Sequence, residues 1–339
     1  MSTALADLTT LRLGGPAREV VIATTRDELV EAVREADADR IPVLVVGGGS
    51  NLVVSDDGWP GRVVLVRASG YQIAGNGDGH DFTVPAGETW DEFVAVTVDD
   101  GWSGHAAMSG IPGSTGATPV QNVGAYGSEV SDLITSLTVL DRADGTVSQW
   151  GPDRCLFGFR TSAFKHTDRY IVLDVTFRLH RTPDAPPVRY LEVARRLGVE
   201  PGAVVPSTRV REVVLELRRS KGMLLDAADH DTWSVGSFFV NPFVEQSQVP
   251  DGCPNWTVDG NIKLSAAWLI ENAGFAKGYG LDRGAGRVSV STKHTLALTN
   301  RGGATTAELL ELAAEIRAGV ERRFGIRLRP EAHLAGVEF

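Results

Sequence analysis

Val43-Leu44-Val45-Val46-Gly47-Gly48-Gly49-Ser50-Asn51-Leu52-Val53-Val54 sets a short β-branched run against three consecutive glycines and then a second apolar run. Both runs read as strands, so the glycines lie in the connection between them. Glycines let a backbone approach a pyrophosphate closely, and successive N–H groups can form an anion nest. The pattern is not the dinucleotide fingerprint: its third glycine would fall at Leu52, and no helix follows. Taken alone, the stretch fits a tight strand-to-strand turn as well as a nucleotide loop.

Upstream, Thr25-Arg26-Asp27-Glu28 reads as a capping box that opens a helix with Leu29, Val33 and Ala36 at helical spacing, closed by Pro42. Downstream, Asp56-Asp57-Gly58 reads as a turn. Strands are expected at Val63 to Val66, near Phe82 to Val84, at Leu133 to Leu140 and at Tyr170 to Leu179, with a helix from Thr89 to Val98. Further helices are expected near Thr208 to Arg219 and Leu264 to Asn272. The clearest helix spans Thr305 to Phe324, with a Thr305–Glu308 capping box, a stripe of Leu309, Leu312, Ile316 and Val320, and Gly325 as its stop. Pro183, Pro186 and Pro187 make residues 180–187 the expected domain boundary. The pattern is α+β in two segments with no internal repeat.

A second glycine-rich stretch runs Gly110-Ile111-Pro112-Gly113-Ser114-Thr115-Gly116-Ala117-Thr118-Pro119-Val120-Gln121-Asn122-Val123-Gly124-Ala125-Tyr126-Gly127. Rigid prolines alternate there with permissive glycines, hydroxyls and amides, which suits an ordered loop wrapping a polar ligand through its backbone.

The chain has 339 residues, 42% hydrophobic and 22% charged, an ordinary globular composition for two or three domains. Lys and Arg number 33 against 43 Asp and Glu, a net charge of −10, which argues against a general nucleic-acid binder. Cys155 and Cys253 make neither a disulfide framework nor a zinc site, so no metal is expected. Met1 to Thr10 shows no secretory signal and no apolar run is long enough to span a bilayer, so a cytoplasmic protein without a membrane partner is expected.

Together, Gly-Gly-Gly-Ser-Asn at 47–51 and the motif at 110–127 resemble the FAD-binding half of the UDP-N-acetylenolpyruvoylglucosamine reductase (MurB) family. The resemblance runs from Leu11-Arg12-Leu13-Gly14-Gly15 to Pro330-Glu331. It implies an α+β FAD-binding fold of the vanillyl-alcohol oxidase type, not a Rossmann fold. The FAD-binding domain is then expected at residues 10–182, as two α+β subdomains. A C-terminal α+β substrate-binding domain is expected at 183–339, its end returning to the active site. Expected cofactor contacts are Gly47, Gly48, Gly49, Ser50 and Asn51 in the first loop. In the second they are Gly110, Ile111, Pro112, Gly113, Ser114, Gly116, Ala117, Gln121, Asn122, Gly124, Ala125, Tyr126 and Gly127. No histidine lies in either loop, so the FAD is expected to be non-covalent.

Three short motifs each hold one residue that could act. In Phe159-Arg160-Thr161-Ser162-Ala163-Phe164-Lys165 a guanidinium could hold a carboxylate or make a surface ion pair. In Gly236-Ser237-Phe238-Phe239-Val240-Asn241-Pro242 the serine is no hydrolase elbow, since Val235 and Phe239 occupy the glycine positions; from its residues alone it caps a turn. In Arg329-Pro330-Glu331 the carboxyl could be a buried acid or an exposed terminal group. The resemblance assigns Arg160 and Glu331 to the flanks of a reacting enolpyruvyl group and Ser237 to proton donation. It also implies NADPH as co-substrate, UDP-N-acetylglucosamine enolpyruvate as substrate, and a role in peptidoglycan precursor synthesis.

For the anionic substrate, Arg218-Arg219-Ser220-Lys221 is a basic cluster in an acidic chain, though also a solvated helix end with a favourable dipole. The resemblance points to Arg218, Lys221 and Asn241 as substrate ligands. It also points to Tyr190, in a loop that closes over the diphosphate in one subtype, and to His294. A packed tyrosine and a structural histidine are the alternatives. A monomer is expected.

Overall fold

The computed structural model describes residues 3–75, 77, 79–258 and 260–339; the first two residues of the N-terminal stretch read for a signal lie outside these. The described residues form two compact units. The first comprises residues 18–48 and 60–220. The second comprises the chain up to residue 17, residues 49–59 and residues 221–339.

In the first unit, the strands expected at 43–46, 63–66, 82–84, 133–140 and 170–179 join others at 72–74 and 146–150, and one at 17–23, in two sheets. One has the order Ala17–Ala23, Trp59–Val66, Val43–Val46, with the last two parallel. The helix Arg26–Ala38 buries Leu29, Val30, Ala32, Val33 and Ala36 in a core shared with Val43, Val64 and Val66. Thr25 Oγ1 caps this helix by accepting from Glu28 N–H at 3.2 Å. The returning half of the expected capping box is displaced by one residue: the Glu28 carboxylate accepts from Thr24 N–H and Oγ1–H. The helix stops at Arg40, whose φ of +56° takes the left-handed position usually given to glycine, just before Pro42.

The other sheet is antiparallel, in the order Thr146–Trp150, Ile134–Asp141, Tyr170–Arg181, Gly79–Pro85, Gln72–Ala74. Phe177 and Phe82 are register partners and point into one aromatic core with Trp90 and Phe93 of the helix Trp90–Asp99. All four are at most 1% exposed. Fully burying a phenylalanine contributes about 1.5–3 kcal/mol, so this cluster anchors the unit. Val210, Val213 and Val214 of the helix Ser207–Ser220 complete it.

The proline-rich segment does not end this unit. Ala185 N–H bonds Val205 O at 2.9 Å, Val188 N–H bonds Ala203 O at 2.9 Å, and Asp184 bridges Pro206. Residues 183–220 therefore pack with the first unit. The seam between compact units falls at 220/221, against the 182/183 expected from the prolines.

The second unit has its own core, with Phe238, Phe239, Leu264, Leu269, Leu309, Ile316 and Val320. Its long helix, Thr306–Phe324, carries the expected capping box and ends at Gly325 with φ +69°. Asp56 also holds its start, accepting from Thr306 N–H at 2.8 Å and Ala307 N–H at 3.0 Å. Leu52–Val54 pairs in parallel with His333–Ala335. A small sheet orders Phe243–Val244, Asn261–Leu264 and Asn255–Val258, and Val288–Val290 pairs with Leu298–Asn300.

Among the described residues, no helix is long and apolar enough to cross a membrane, and no group of three or more His, Cys, Asp or Glu side chains could hold a metal. Cys155 and Cys253 are free thiols, both buried.

Candidate active site

In the first unit the two glycine-rich loops meet. A Cβ on Gly48 would lie 2.6 Å from Gly113 Cα, and one on Gly47 would lie 2.1 Å from Ser114 Oγ. Only glycine permits this approach, so the loops are joined by the absence of side chains. Gly116 is packed as closely, its Cβ position 2.4 Å from Ala86 Cβ. Thr115, fully buried in the second loop, has a hydroxyl with no hydrogen-bond partner among the described residues. A buried orphan hydroxyl costs free energy unless a ligand or water satisfies it. Tight glycine backbone and a waiting hydroxyl fit a polar dinucleotide held through the main chain. A threonine among many hydroxyls carries no local signal, so only its burial marks Thr115 as a binding group.

The end of the second loop is a hairpin, Gly124↔Glu129 and Ala125↔Ser128, turning at Tyr126 (φ +51°) and Gly127 (φ +84°). Positive φ at both turn residues is the primed turn that suits twisted hairpins, unusual with a tyrosine in it. Asn122 is 1% exposed: its amide donates to Glu129 Oε2 at 2.7 Å and Gly158 O at 3.2 Å, and its carbonyl accepts from Ser131 N–H at 3.2 Å. Gln121 Oε1 accepts from Lys165 Nζ at 2.9 Å.

Arg160 joins this loop. Its Nη1 donates to Asn122 O at 3.2 Å and its Nη2 to Gly124 O at 2.5 Å, from a backbone held at φ +53°. A non-glycine residue adopts that conformation only where its surroundings enforce it. The structure thus unites Arg160 with Asn122 and Gly124, residues assigned separately to catalysis and to the cofactor.

Tyr126, Tyr190 and Arg218 also come together within the first unit. The two tyrosine rings pack edge to face with centroids 5.4 Å apart. Burial pushes the Tyr126 phenol up to about 12. Arg218, on the helix Ser207–Ser220, is 9% exposed; burial lowers its pKa against the attraction of Tyr126 and Asp91. A desolvated guanidinium suits an anionic ligand. Tyr190 itself is half-exposed, at the start of the helix Leu191–Leu197. Lys221, the next residue after the helix that carries Arg218, begins the last segment of the second unit.

In the second unit, Ser237 and Glu331 are brought onto neighbouring backbone rungs. Glu331 N–H donates to Phe238 O at 2.8 Å and Val240 N–H to Arg329 O at 3.1 Å. On the other flank, Ser237 bridges Ala297 and Phe238 N–H donates to Leu296 O at 2.7 Å. The Ser237 segment is therefore pinned on both edges. Asn51 belongs to the same neighbourhood: its O accepts from His333 N–H at 2.9 Å, and its Nδ2 lies 3.5 Å from Glu331 O. Gly49 is packed within this unit, with Thr10 N–H donating to its carbonyl at 3.2 Å. The first glycine loop thus changes unit between Gly48 and Gly49.

His294 lies in the turn that ends at Ala297, its N–H donating to Ser291 Oγ at 3.2 Å. Asp231, 4% exposed, fixes that turn by accepting from Thr292 N–H and from Arg301 Nη1, both at 2.8 Å. Burial works to raise the Asp231 pKa, but the Thr292 bonds and the Arg301 charge outweigh it and hold the carboxyl low. No local pattern marked this residue; its partners lie some 60–70 positions away. Asn241 has a structural tie: its Oδ1 accepts from Ala266 N–H at 2.9 Å at the start of the helix Ala266–Asn272.

Residues 17–151 match the FAD-binding domain model, and residues 227–335 match that of the UDP-N-acetylenolpyruvoylglucosamine reductase C-terminal domain. A chain with the first of these and converging glycine loops is an FAD-dependent oxidoreductase, built here on a mixed α and β fold. Similarity over nearly the whole length narrows this further. The chain is 52% identical over 339 residues to the UDP-N-acetylenolpyruvoylglucosamine reductase of Salinispora arenicola, covering 96% of this chain and 93% of that one. It is 51% identical over 335 residues to that of Cutibacterium acnes, covering 98% and 89%. The crystal structure of the Thermus caldophilus enzyme matches with a TM-score of 0.69 and 26% identity, covering 99% of this chain and 98% of that one. The chain belongs to the UDP-N-acetylenolpyruvoylglucosamine reductase family.

Proposed function

We propose that this chain reduces UDP-N-acetylglucosamine enolpyruvate to UDP-N-acetylmuramate, taking electrons from NADPH, as a cytoplasmic monomer supplying peptidoglycan precursor synthesis. Family membership supports the reaction class. The observation that carries the catalytic reading is the pairing of Glu331 N–H with Phe238 O at 2.8 Å, which ties the main chain of Glu331 to the serine segment.

The glycine loops and the Thr115 hydroxyl would hold FAD, which when bound would supply hydride chemistry to the enolpyruvyl group. Negative charge then develops beside the substrate carboxylate. Arg160 supplies a fixed positive charge for it, and Glu331 helps to orient the reacting group. Ser237 Oγ–H gives the proton that completes the reduction. An alkanol is a weak acid, but the carbon it protonates is strongly basic, so the transfer is feasible. Arg218, Lys221, Tyr190, Asn241 and His294 would bind the sugar nucleotide, with the buried Arg218 guanidinium facing the diphosphate.

Ser237→Ala separates the two half-reactions. NADPH should bleach the flavin at the wild-type rate, while recovery of flavin absorbance on adding the enolpyruvyl sugar should slow by about a hundredfold or more. Rapid-mixing absorbance reads both; equal slowing of the two halves would overturn the role given to Ser237.

A further inference from the structure

Asp91 stands in the first turn of the helix Trp90–Asp99, where an acid needs no explanation beyond the helix dipole. Its contacts go further. Asp91 Oδ1 accepts from Gly110 N–H at 2.6 Å and from Arg211 Nη1 at 2.5 Å, and Oδ2 accepts from Arg211 Nη2 at 3.1 Å. The Arg211 side chain is 15% exposed and that of Asp91 31%, so the fork is partly withdrawn from water. Gly110 opens the second glycine loop at φ +71°. Around it, Trp90 Nε1–H donates to Met108 O and Trp90 N–H to Gly113 O, each at 3.1 Å. The start of this helix therefore grips both ends of the segment 108–113, and Gly113 is the residue against which Gly48 packs.

A glycine peptide rotates more freely than any other, so a loop that presents its main chain to a ligand needs an external constraint. A charged acceptor supplies one, and the two-point Arg211 contact locks the orientation of that acceptor. We infer that Asp91 is a positioning residue for the flavin, orienting the Gly110 peptide and, through it, the second glycine loop, with Arg211 setting the carboxylate. The inference rests on the flavin reading of that loop.

The test is FAD titration of the flavin-stripped protein, followed by flavin fluorescence, with the thermal melt of the same preparations. Asp91→Ala should weaken FAD binding by about tenfold or more, the cost of losing a charge-assisted hydrogen bond. Asp91→Asn, which keeps a neutral acceptor for Gly110 N–H but loses one Arg211 contact, should bind FAD more weakly than wild type and more tightly than Asp91→Ala. The decisive variant is the swap D91R/R211D. It rebuilds the ion pair but leaves Gly110 N–H without its acceptor. Its melting temperature should recover while FAD affinity stays as weak as in Asp91→Ala. Restored FAD affinity in the swap, or wild-type affinity in Asp91→Ala, overturns the inference and leaves the ion pair a purely structural contact. Should Asp91→Ala fail to fold, amide exchange at Gly110 in the wild-type holoenzyme decides the matter: protection is expected, and exchange at an unprotected rate overturns it. If wild-type protein takes up no FAD at all, the flavin reading itself has failed.

Discussion

The two units hold their functional residues by different physics. In the first, the loops at Gly47–Gly48 and Gly113–Ser114 fit because side chains are missing, and Arg160 and Tyr126 sit in left-handed conformations beside them. In the second, Ser237 and Glu331 are placed by backbone hydrogen bonds on either side of one extended segment. The first arrangement tolerates no added volume. The second tolerates side-chain changes, provided the main-chain pairing survives.

The harshest test of that contrast is one methyl group. Gly48→Ala would drive a Cβ to 2.6 Å from Gly113 Cα, backbone that cannot step aside. Overpacking of this kind costs about 1–3 kcal/mol, and here it separates the loops, so FAD retention on a desalting column should be lost. Retention of flavin by Gly48→Ala would show that the loop junction has slack.

Next in size is a pH effect confined to the first unit. His105 is fully buried; its Nε2 lies 2.5 Å from Thr97 Oγ1 and its Nδ1 has no partner among the described residues. Burial, with a smaller contribution from Arg211, depresses its pKa from 6.5 to about 3. A histidine depressed on folding binds fewer protons in the native than in the unfolded state across that window. Its contribution is complete above the unfolded pKa and is lost as pH falls from 6.5 toward 3. The stability advantage of wild type over His105→Gln should narrow by about 1.4 kcal/mol per pH unit between pH 6 and pH 4 in urea titrations. A constant difference would mean that the imidazole is not held neutral.

The smallest effect belongs to the second unit. Asp56→Ala removes the acceptor for two amides at the start of the helix Thr306–Phe324, leaving Thr305 as the remaining cap. A loss of about 1 kcal/mol is expected, visible as a lowered melting temperature with the flavin spectrum unchanged. A shifted spectrum would show that the units do not keep their tasks apart.

Much of the local structure could be read directly. Thr25 and Thr305 cap their helices, and the strands at 43–46, 52–54 and 170–181 follow their apolar runs. Both glycine loops announced themselves by composition, because a backbone that must be approached closely has no substitute for glycine. The seam was misplaced because prolines mark a connection, not its depth. Pro183 and Pro186 lie in a segment that folds back onto residues 203–206, whereas the compact units divide at 220/221, after a basic helix end that carries no proline or glycine. Nothing near Ser237 foretold its neighbours, since Ala297 and Glu331 reach it by non-local pairing. Asp91 looked like any acid at a helix start until Gly110 and Arg211 were seen on it.

Because the chain changes unit at 17/18, 48/49, 59/60 and 220/221, neither unit is a single stretch of sequence. During synthesis the strand Leu52–Val54 emerges early, yet its partner His333–Ala335 must still be translated. Until then it remains an unmatched apolar edge on a nascent polypeptide. Expressing either unit alone would require joining distant segments by engineered connections; cutting the gene at one position cannot yield both.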